Sequence, residues 1–183
     1  WRLTAQRLLV ERGNRDVVPQ LIRLVGSTRT DALGLAPGPL HALWTLHGLG
    51  ALEGSNAQAT TAAVGALRHP VAAVRKAAAQ VLPAGSALAG QLQAANVLTD
   101  PDPHTRLAAV LRLSELPASE ELGALLYRMS LAPEMSQDRW LSEAVYVAAA
   151  PVVPIAVIGR PKLSGIGCPA SLSNSGFGSN KSK

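Results

Sequence analysis

The densest cluster of polar side chains is the segment DPDPHTR, which runs from Asp100 to Arg106. Asp100, Asp102 and His104 could act as general acid and base, because a carboxylate beside an imidazole can pass a proton. The same residues also fit a turn between two helices, in which Asp102 accepts backbone N–H bonds as an N-cap and Pro103 takes the first helical position. We favour this structural interpretation over the catalytic one.

Other residues that could carry chemistry lack the spacing that their reactions need. His41 and His47 are six residues apart, so they do not share one helix face as a metal-binding pair at i and i+4 would. The serines have no Gly-x-Ser-x-Gly elbow, and no glycine-rich phosphate loop precedes a helix. Cys168 is the single cysteine, which excludes an internal disulfide, a cysteine-rich zinc site and a CxxCH haem attachment. We therefore predict no catalytic, cofactor-binding or metal-binding residue.

Arginine is distributed unevenly along the chain. Residues 1–29 contain six arginines and two acidic residues, a net charge of +4, whereas residues 100–150 have a net charge of −4. The basic segment could attract a nucleic acid or another polyanion, although we favour a solvated helix face and expect no nucleic-acid partner. The candidate interaction surface comprises Arg2, Arg7, Arg12, Arg15, Arg75 and Arg106.

Arg75 and Arg106 have a second interpretation, because each follows a proline-containing turn at the same distance. His69 and Asp100 begin these turns, each six residues before its arginine. The two arginines could form a ladder that hydrogen-bonds carbonyl groups or aspartates of neighbouring turns, or they could line a concave binding surface. We favour the ladder, in which Arg2 has the equivalent position.

These arginines belong to a longer pattern that repeats along the chain. A starting position is followed by alanine at the third residue after it and usually by leucine at the seventh residue after it. We call this pattern the template, and its successive copies begin 31 to 37 residues apart. This period is typical of two-helix solenoid units, in which each copy forms the second helix of a unit. The five copies begin at Arg2, Pro39, Arg75, Arg106 and Leu141.

The segments between the copies supply the first helix of each unit, since their apolar residues also recur at helical spacing. Asp16 is the expected N-cap of the first such helix, and Ser119 that of the last. The predicted first helices are residues 16–26, 57–67, 87–98 and 119–131.

Composition supports an all-α chain. The hydrophobic fraction is 48% but the aromatic fraction only 3%, so small aliphatic residues fill the interior, as suits closely packed helices. We predict a right-handed α-solenoid of four to five helix pairs over residues 1–150 and an extended or disordered tail over residues 151–183, which is rich in Pro, Gly and Ser. The most apolar run, residues 144–159, is interrupted by Pro151 and Pro154 and is too short for a membrane span, which needs ~20 residues.

A proline-containing turn followed by Val or Thr, then Arg, and then Ala and Leu at the template spacing resembles HEAT repeats. The best copies are Val74-Arg75, Ala78 and Leu82, followed by Thr105-Arg106, Ala109 and Leu113. This resemblance implies a stack of HEAT-like helix pairs, in which Ala78 and Ala109 occupy the small position where paired helices approach most closely.

Three segments are similar to the HEAT-repeat region of large bacterial exported dehydrogenase-like proteins: WRLTAQRLLVERG (residues 1–13), HALWTLHGLGAL (41–52) and RHPVAAVRKAAAQVLP (68–83). That family pairs a sugar-dehydrogenase-type β-propeller with HEAT repeats and a C-terminal cytochrome c module. The resemblance covers residues 1–150 and carries over no catalytic residue, because the family's chemistry belongs to the propeller and to the haem. It implies a fragment of a larger protein, as does Trp1 in place of an initiator Met, with a periplasmic or membrane-associated location.

Three functional hypotheses follow. The favoured one is a non-catalytic scaffold that contacts a protein partner or adjacent domains of the parent chain. The second is binding of a polyanion through the arginine-rich first repeat, and the third is an enzyme that acts through residues 100–106. Trp1, Trp44 and Trp140 are expected to pack in the core or between repeats, which is the default for large aromatic side chains.

Overall fold

A computed structural model of the chain describes residues 1–54 and 56–152. Within these residues the chain is all-α, with ten α-helices and no β-strand. The helices are α1 Arg2–Arg12, α2 Val18–Val25, α3 Pro37–Gly48, α4 Ala57–Ala66, α5 Ala72–Val81, α6 Leu88–Ala94, α7 Pro103–Leu113, α8 Glu120–Ser130, α9 Pro133–Ser136 and α10 Arg139–Ala149. Most of the predicted tail, including Cys168, lies outside the described residues.

Short polar side chains begin several helices, as the sequence predicts. Oδ1 of Asp102 accepts the N–H of Thr105 at 2.7 Å, and Pro103 follows as the first residue of α7. The hydroxyl of Ser119 accepts an N–H at the start of α8 in the same way, at 3.1 Å. These caps satisfy donors that have no partner inside the helix.

Two predicted helix boundaries are wrong. Asp16 does not cap α2, because Asn14 caps a 3-10 turn over Arg15–Val17 and α2 begins only after that turn. The helix predicted to end at residue 98 ends at Ala94, because Asn96 adopts a left-handed conformation with φ 57° that a helix does not continue through.

The template positions are buried in four of the five copies. The residues three and seven positions after the start are at most 3% exposed in the copies that α3, α5, α7 and α10 carry, although Leu82 stands just after the end of α5. They are Ala42 and Leu46, Ala78 and Leu82, Ala109 and Leu113, and Ala144 and Ala148. The first copy differs, because in α1 Ala5 is exposed and Leu9 is half-buried.

The five helices that carry the template, α1, α3, α5, α7 and α10, are called template helices below. Each one contacts the next template helix along the chain, so that α1 contacts α3, α3 contacts α5, α5 contacts α7, and α7 contacts α10. The intervening helices α2, α4, α6 and α8 contact α3, α5, α7 and α10 respectively. Each template helix from α3 onward therefore packs against at least one intervening helix and against its neighbouring template helices, and α10 also packs against α9.

We expect Ala109→Leu to lower the free energy of unfolding by roughly 1 to 3 kcal/mol, because Ala109 is fully buried in α7 and a larger side chain would overpack its surroundings. Hydrogen exchange should become fastest in α7 and in the helices that contact it, α5, α6 and α10. Ala73→Leu, at an exposed position of α5, is the matched control and should leave exchange unchanged. Equal loss of protection in every helix would contradict the repeat assignment.

Candidate functional site

Arg75 joins two neighbouring turns through a hydrogen-bond network. Its Nε and Nη2 donate to the two carboxylate oxygens of Asp100 at 2.6 and 2.8 Å. Its Nη1 donates to the carbonyl groups of His69 and Pro70 at 2.9 and 3.0 Å. The side chains of Arg75 and Asp100 are only 14% and 5% exposed, so this bidentate pair fixes the guanidinium plane in a partly dry environment.

Arg106 makes the equivalent contact in the next turn. Its Nη1 donates to the main-chain carbonyl of Asp100 at 2.6 Å, just as Nη1 of Arg75 donates to the carbonyl of His69. In both cases the acceptor lies six residues before the arginine, in its own turn. The bonds from Arg75 to the carboxylate of Asp100 reach the next turn, as predicted for an arginine ladder. Arg2, which was expected to be equivalent, is exposed and takes no part in this network.

The acidic residues of the DPDPHTR segment are held as carboxylates. Burial alone would raise the pKa of Asp100, but hydrogen bonds from Arg75 and from the backbone N–H of Asp102 outweigh it and hold that pKa below its ordinary value. The pKa of Asp102 is also lowered, because two hydrogen bonds from Thr105 outweigh the effect of burial. Carboxylates with lowered pKa values are poor proton acceptors at neutral pH, so this geometry favours the structural interpretation of the cluster.

Further side chains donate to main-chain carbonyl groups of neighbouring segments. The acceptors lie 26 to 42 residues away from the donors in the chain, so the bonds connect successive units. The pairs are Arg15 with Leu49 (3.1 Å), Arg68 with Ala94 (2.6 Å), His69 with Ser27 (3.1 Å), Thr105 with Ala72 (3.2 Å) and Arg112 with Leu82 (2.6 Å). Sequence reasoning missed these bonds, because a carbonyl acceptor leaves no residue-type signal.

The four N-terminal arginines of the candidate surface lie on or just after α1. Arg7 is 3.4 Å from the carboxylate of Glu11, and Arg12 pairs with Asp16. Both pairs are exposed, so they add little stability, although they offset part of the positive charge. The candidate surface is therefore divided between an exposed N-terminal group, Arg2 to Arg15, and the turn network of Arg75 and Arg106.

A groove of 580 Å³ lies between α1 and α3, lined mainly by apolar atoms of residues such as Leu3, Val10 and Trp44. Gly48 permits this close approach, because a Cβ atom there would lie 2.7 Å from Cγ2 of Val10. Such an open groove can receive a side chain of a partner, and Arg7, Glu11 and His47 add polar groups to its lining.

His41 connects α3 to α1 beside this groove. Its Nδ1 lies 2.7 Å from Oε1 of Gln6, at hydrogen-bond distance. Burial lowers the pKa of His41, and the positive charge of Arg2 lowers it further. The imidazole therefore favours its neutral form where the two helices meet.

The three tryptophans differ in exposure. Trp44 is half-buried and packs edge-on against His47, with the ring centroids 5.9 Å apart. Trp1 is fully exposed and Trp140 is 63% exposed. The expectation that all three pack inside the protein is therefore wrong for Trp1 and Trp140, and the guanidinium of Arg139 lies 5.3 Å from the centre of the Trp140 ring.

No group of three His, Cys, Asp or Glu side chains that could hold a metal ion occurs within residues 1–54 and 56–152. None of the helices in this part of the chain is both long enough and apolar enough to cross a membrane. Comparison of the chain with protein-family models, curated proteins and solved structures finds no match.

We expect Asp100→Asn to lower the free energy of unfolding at pH 7 by roughly 3 to 5 kcal/mol, because it leaves the mostly buried guanidinium of Arg75 without its countercharge. Urea unfolding followed by circular dichroism would measure this loss. Glu134→Gln, which removes an exposed carboxylate, is the control for the change in net charge. An equal effect of the two substitutions would contradict a structural role for the Arg75–Asp100 pair.

The same pair predicts how stability depends on pH. The folded-state pKa values of Asp100 and Asp102 are lowered, so the unfolded chain binds protons first as the pH falls. The stability that these groups contribute is complete above about pH 5 and is lost as the pH falls through the ordinary carboxyl range, near 4, toward the folded-state pKa values. Unfolding measured between about pH 7 and pH 3 should show a smaller decline in Asp100→Asn than in the wild type.

Proposed function

We propose that residues 1–150 form a right-handed α-solenoid of HEAT-like helix pairs that serves as a non-catalytic scaffold. The proposal depends on one observation: the template helices form a row in which each contacts the next, from α1 to α10. Neighbour-to-neighbour contact of this kind is the property that defines a solenoid. The helix preceding each template helix from α3 onward packs against it, as expected of a two-helix repeat.

The hydrogen bonds between turns support the same proposal. Arg75 and Arg106 each bind the carbonyl six residues earlier, so two successive units share one turn design. Arg75 also binds Asp100 of the next unit, which fixes the spacing between the units. A scaffold needs this regular spacing, because it must present its surface at fixed distances.

A non-catalytic role is supported by how the polar groups are used. Asp100, Asp102 and Arg106 are occupied by hydrogen bonds within the turns, and His104 is exposed. Exposed apolar side chains lie outside these turns, on the surfaces of helices such as α1 and α10 and in the segment between α2 and α3. Exposed aromatic and arginine side chains are typical of surfaces that bind proteins.

The partner in this proposal is a protein or an adjacent domain of a larger chain. The amino-acid sequence of residues 1–83 resembles the HEAT segment of exported dehydrogenase-like proteins. This resemblance supports a location beside a propeller and a cytochrome module in a larger protein. Any haem or quinone chemistry would then belong to those modules, and this chain would bind no cofactor of its own. A periplasmic or membrane-associated location would follow from the same resemblance.

Site-specific photo-crosslinking in the source organism tests the scaffold proposal. A photo-reactive residue replaces Leu3, which lines the groove between α1 and α3, or Leu111, an exposed residue of α7 outside that groove. We expect the photo-reactive residue at position 3 to give a defined cross-link to one protein or to a neighbouring domain. The yield of the same product from position 111 should be much lower. The same set of products from both positions, or none from either, would count against a scaffold that uses this surface.

The exposed arginines after Trp1 favour a second candidate function, binding of a nucleic acid or another polyanion. The test replaces Arg7, Arg12, Arg15 and Arg23 by Ala, and replaces Arg128 and Arg139, exposed arginines of α8 and α10, as the control. If this function is correct, only the first variant should lose retention on DNA, and wild-type affinity should fall steeply with salt. Unchanged retention of the first variant at low salt would eliminate this function.

A further inference from the structure

His69 joins two successive turns on one edge of the row of helices. It is only 6% exposed and stands in the turn between α4 and α5. Its Nε2 lies 3.1 Å from the main-chain carbonyl oxygen of Ser27, which is 42 residues earlier in the chain. Its Nδ1 lies 3.0 Å from the backbone nitrogen of Val71. The two ring nitrogens therefore contact two separate segments of the chain.

The partners of the imidazole fix its protonation state. A carbonyl oxygen can only accept a hydrogen bond, and a backbone N–H can only donate one. Nε2 must therefore carry a proton and Nδ1 must not, so the link requires a neutral ring. An imidazolium has a proton on both nitrogens and could not accept the N–H of Val71. Turning the ring over would not restore the bonds, because carbon atoms would then occupy both positions.

The segment that this link holds, residues 27–35, is called the α2–α3 loop. Residues 28–35 are all exposed. The tip of the loop keeps its own shape, because Oδ1 of Asp31 accepts the N–H groups of Leu33 and Leu35 at 2.9 and 3.0 Å. Within the part of the chain that the structure describes, the bond to His69 is the only hydrogen bond from the loop to a residue outside α2 and the loop itself. Breaking this one bond would free the loop from the next turn and leave its tip intact.

The ionisable groups around the link offer an imidazolium no uncommitted countercharge among the described residues. Arg75 donates to the carbonyl of His69 itself and is paired with Asp100. Asp31 already accepts two N–H groups of its own loop, and α4 carries no ionisable side chain. The remaining ionisable side chains on the packed elements, none of them acidic, are Arg23 on α2, Arg29 in the loop, His41 and His47 on α3, Arg68 just after α4 and Lys76 on α5.

We propose that His69 is a pH-sensitive clasp, which holds the α2–α3 loop against the turn between α4 and α5 while its ring is neutral and releases the loop when the ring is protonated. Histidine is the side chain that ordinarily changes charge between about pH 5 and 8. The link between the next pair of turns, from Arg75 to Asp100, uses groups that keep their charges in that range. Acidification would therefore open one link of the row and spare the other.

Release of the loop changes what the surface presents. Leu33 and Leu35 are 83% and 51% exposed, and they would move relative to the helices together with the loop tip. The clasp concerns the fold itself and does not depend on the proposed scaffold function.

Nuclear magnetic resonance of the full chain at about pH 7.5 and about pH 5.5, on either side of the ordinary histidine range near 6.5, tests the clasp. We expect the backbone order parameters of the α2–α3 loop to fall from about 0.85 to below about 0.6 on acidification. The exchange protection of the Val71 N–H, corrected for the intrinsic effect of pH, should fall by about tenfold, which corresponds to the loss of one hydrogen bond. The N–H of Thr105 is the internal control and should stay protected, because its acceptor Asp102 remains a carboxylate.

Two variants separate the clasp from a general effect of acid. Asn at position 69 keeps an acceptor for the Val71 N–H but is too short to reach Ser27, and it does not titrate. In His69→Asn the loop should therefore be mobile at both pH values, while Val71 stays protected at both. His104→Gln, which replaces an exposed histidine, is the matched control and should respond to pH like the wild type.

The wild-type measurements decide the proposal even if a variant fails to fold, which circular dichroism would reveal. Loop order and Val71 protection that do not change between the two pH values would overturn the clasp. A ring nitrogen spectrum that places the proton on Nδ1 at pH 7.5 would overturn it as well, and so would the wild-type response to pH in folded His69→Asn. None of these results bears on the cross-linking test, because that test measures contact with other proteins or domains.

Discussion

Every turn between helices leaves main-chain carbonyl groups that no intrahelical bond satisfies, and in this protein arginine side chains satisfy many of them. Arg75 binds two such carbonyl groups in its own turn, and Arg68 and Arg112 bind carbonyl groups of neighbouring segments. Because a guanidinium offers several donors in one plane, a single arginine can hold two segments at once. These bonds join segments that the apolar core alone does not connect by directional contacts.

The composition explains why such polar bonds are needed. Alanine fills buried positions such as Ala78 and Ala109, but it buries little apolar surface per residue. Small side chains also discriminate poorly between alternative neighbours, because many of them fit the same space. The Arg75–Asp100 pair and the arginine-to-carbonyl bonds have directional geometry, so they select which turn lies beside which.

The sequence predicted those parts of the fold that depend on residues near in the chain. The caps formed by Asp102 and Ser119 and the matching turns before Arg75 and Arg106 were predicted correctly, because each involves partners within six residues. The exposure of Trp1 and Trp140 was not predicted, since it depends on which helices lie alongside. For the same reason Arg2 was grouped with Arg75 and Arg106 on sequence position, although the structure gives it no equivalent bonds.

The two helix boundaries that were predicted wrongly lie where a local backbone conformation differs from the one that the spacing of apolar residues favours. Leu98 continues the helical spacing of α6, but the left-handed backbone at Asn96 ends the helix before it. Before α2, the side chain of Asn14 accepts the backbone N–H of Asp16 and caps a 3-10 turn, so Asp16 is not the N-cap that was expected. In both cases a single short polar residue changed the path of the chain, which periodicity of apolar residues does not register.

A row of repeats buries each template helix through its neighbours, so the same design that covers α5 on both sides leaves one side of α1 and of α10 without a template helix among the described residues. Polar outer faces would make such ends inert. Here they carry Trp1 and Leu8 at one end and Trp140 and Val147 at the other, with opposite net charge around them. Among the described residues these exposed apolar side chains lie apart from the polar turns, where the bonds of Arg75 and Arg106 occupy the acceptors.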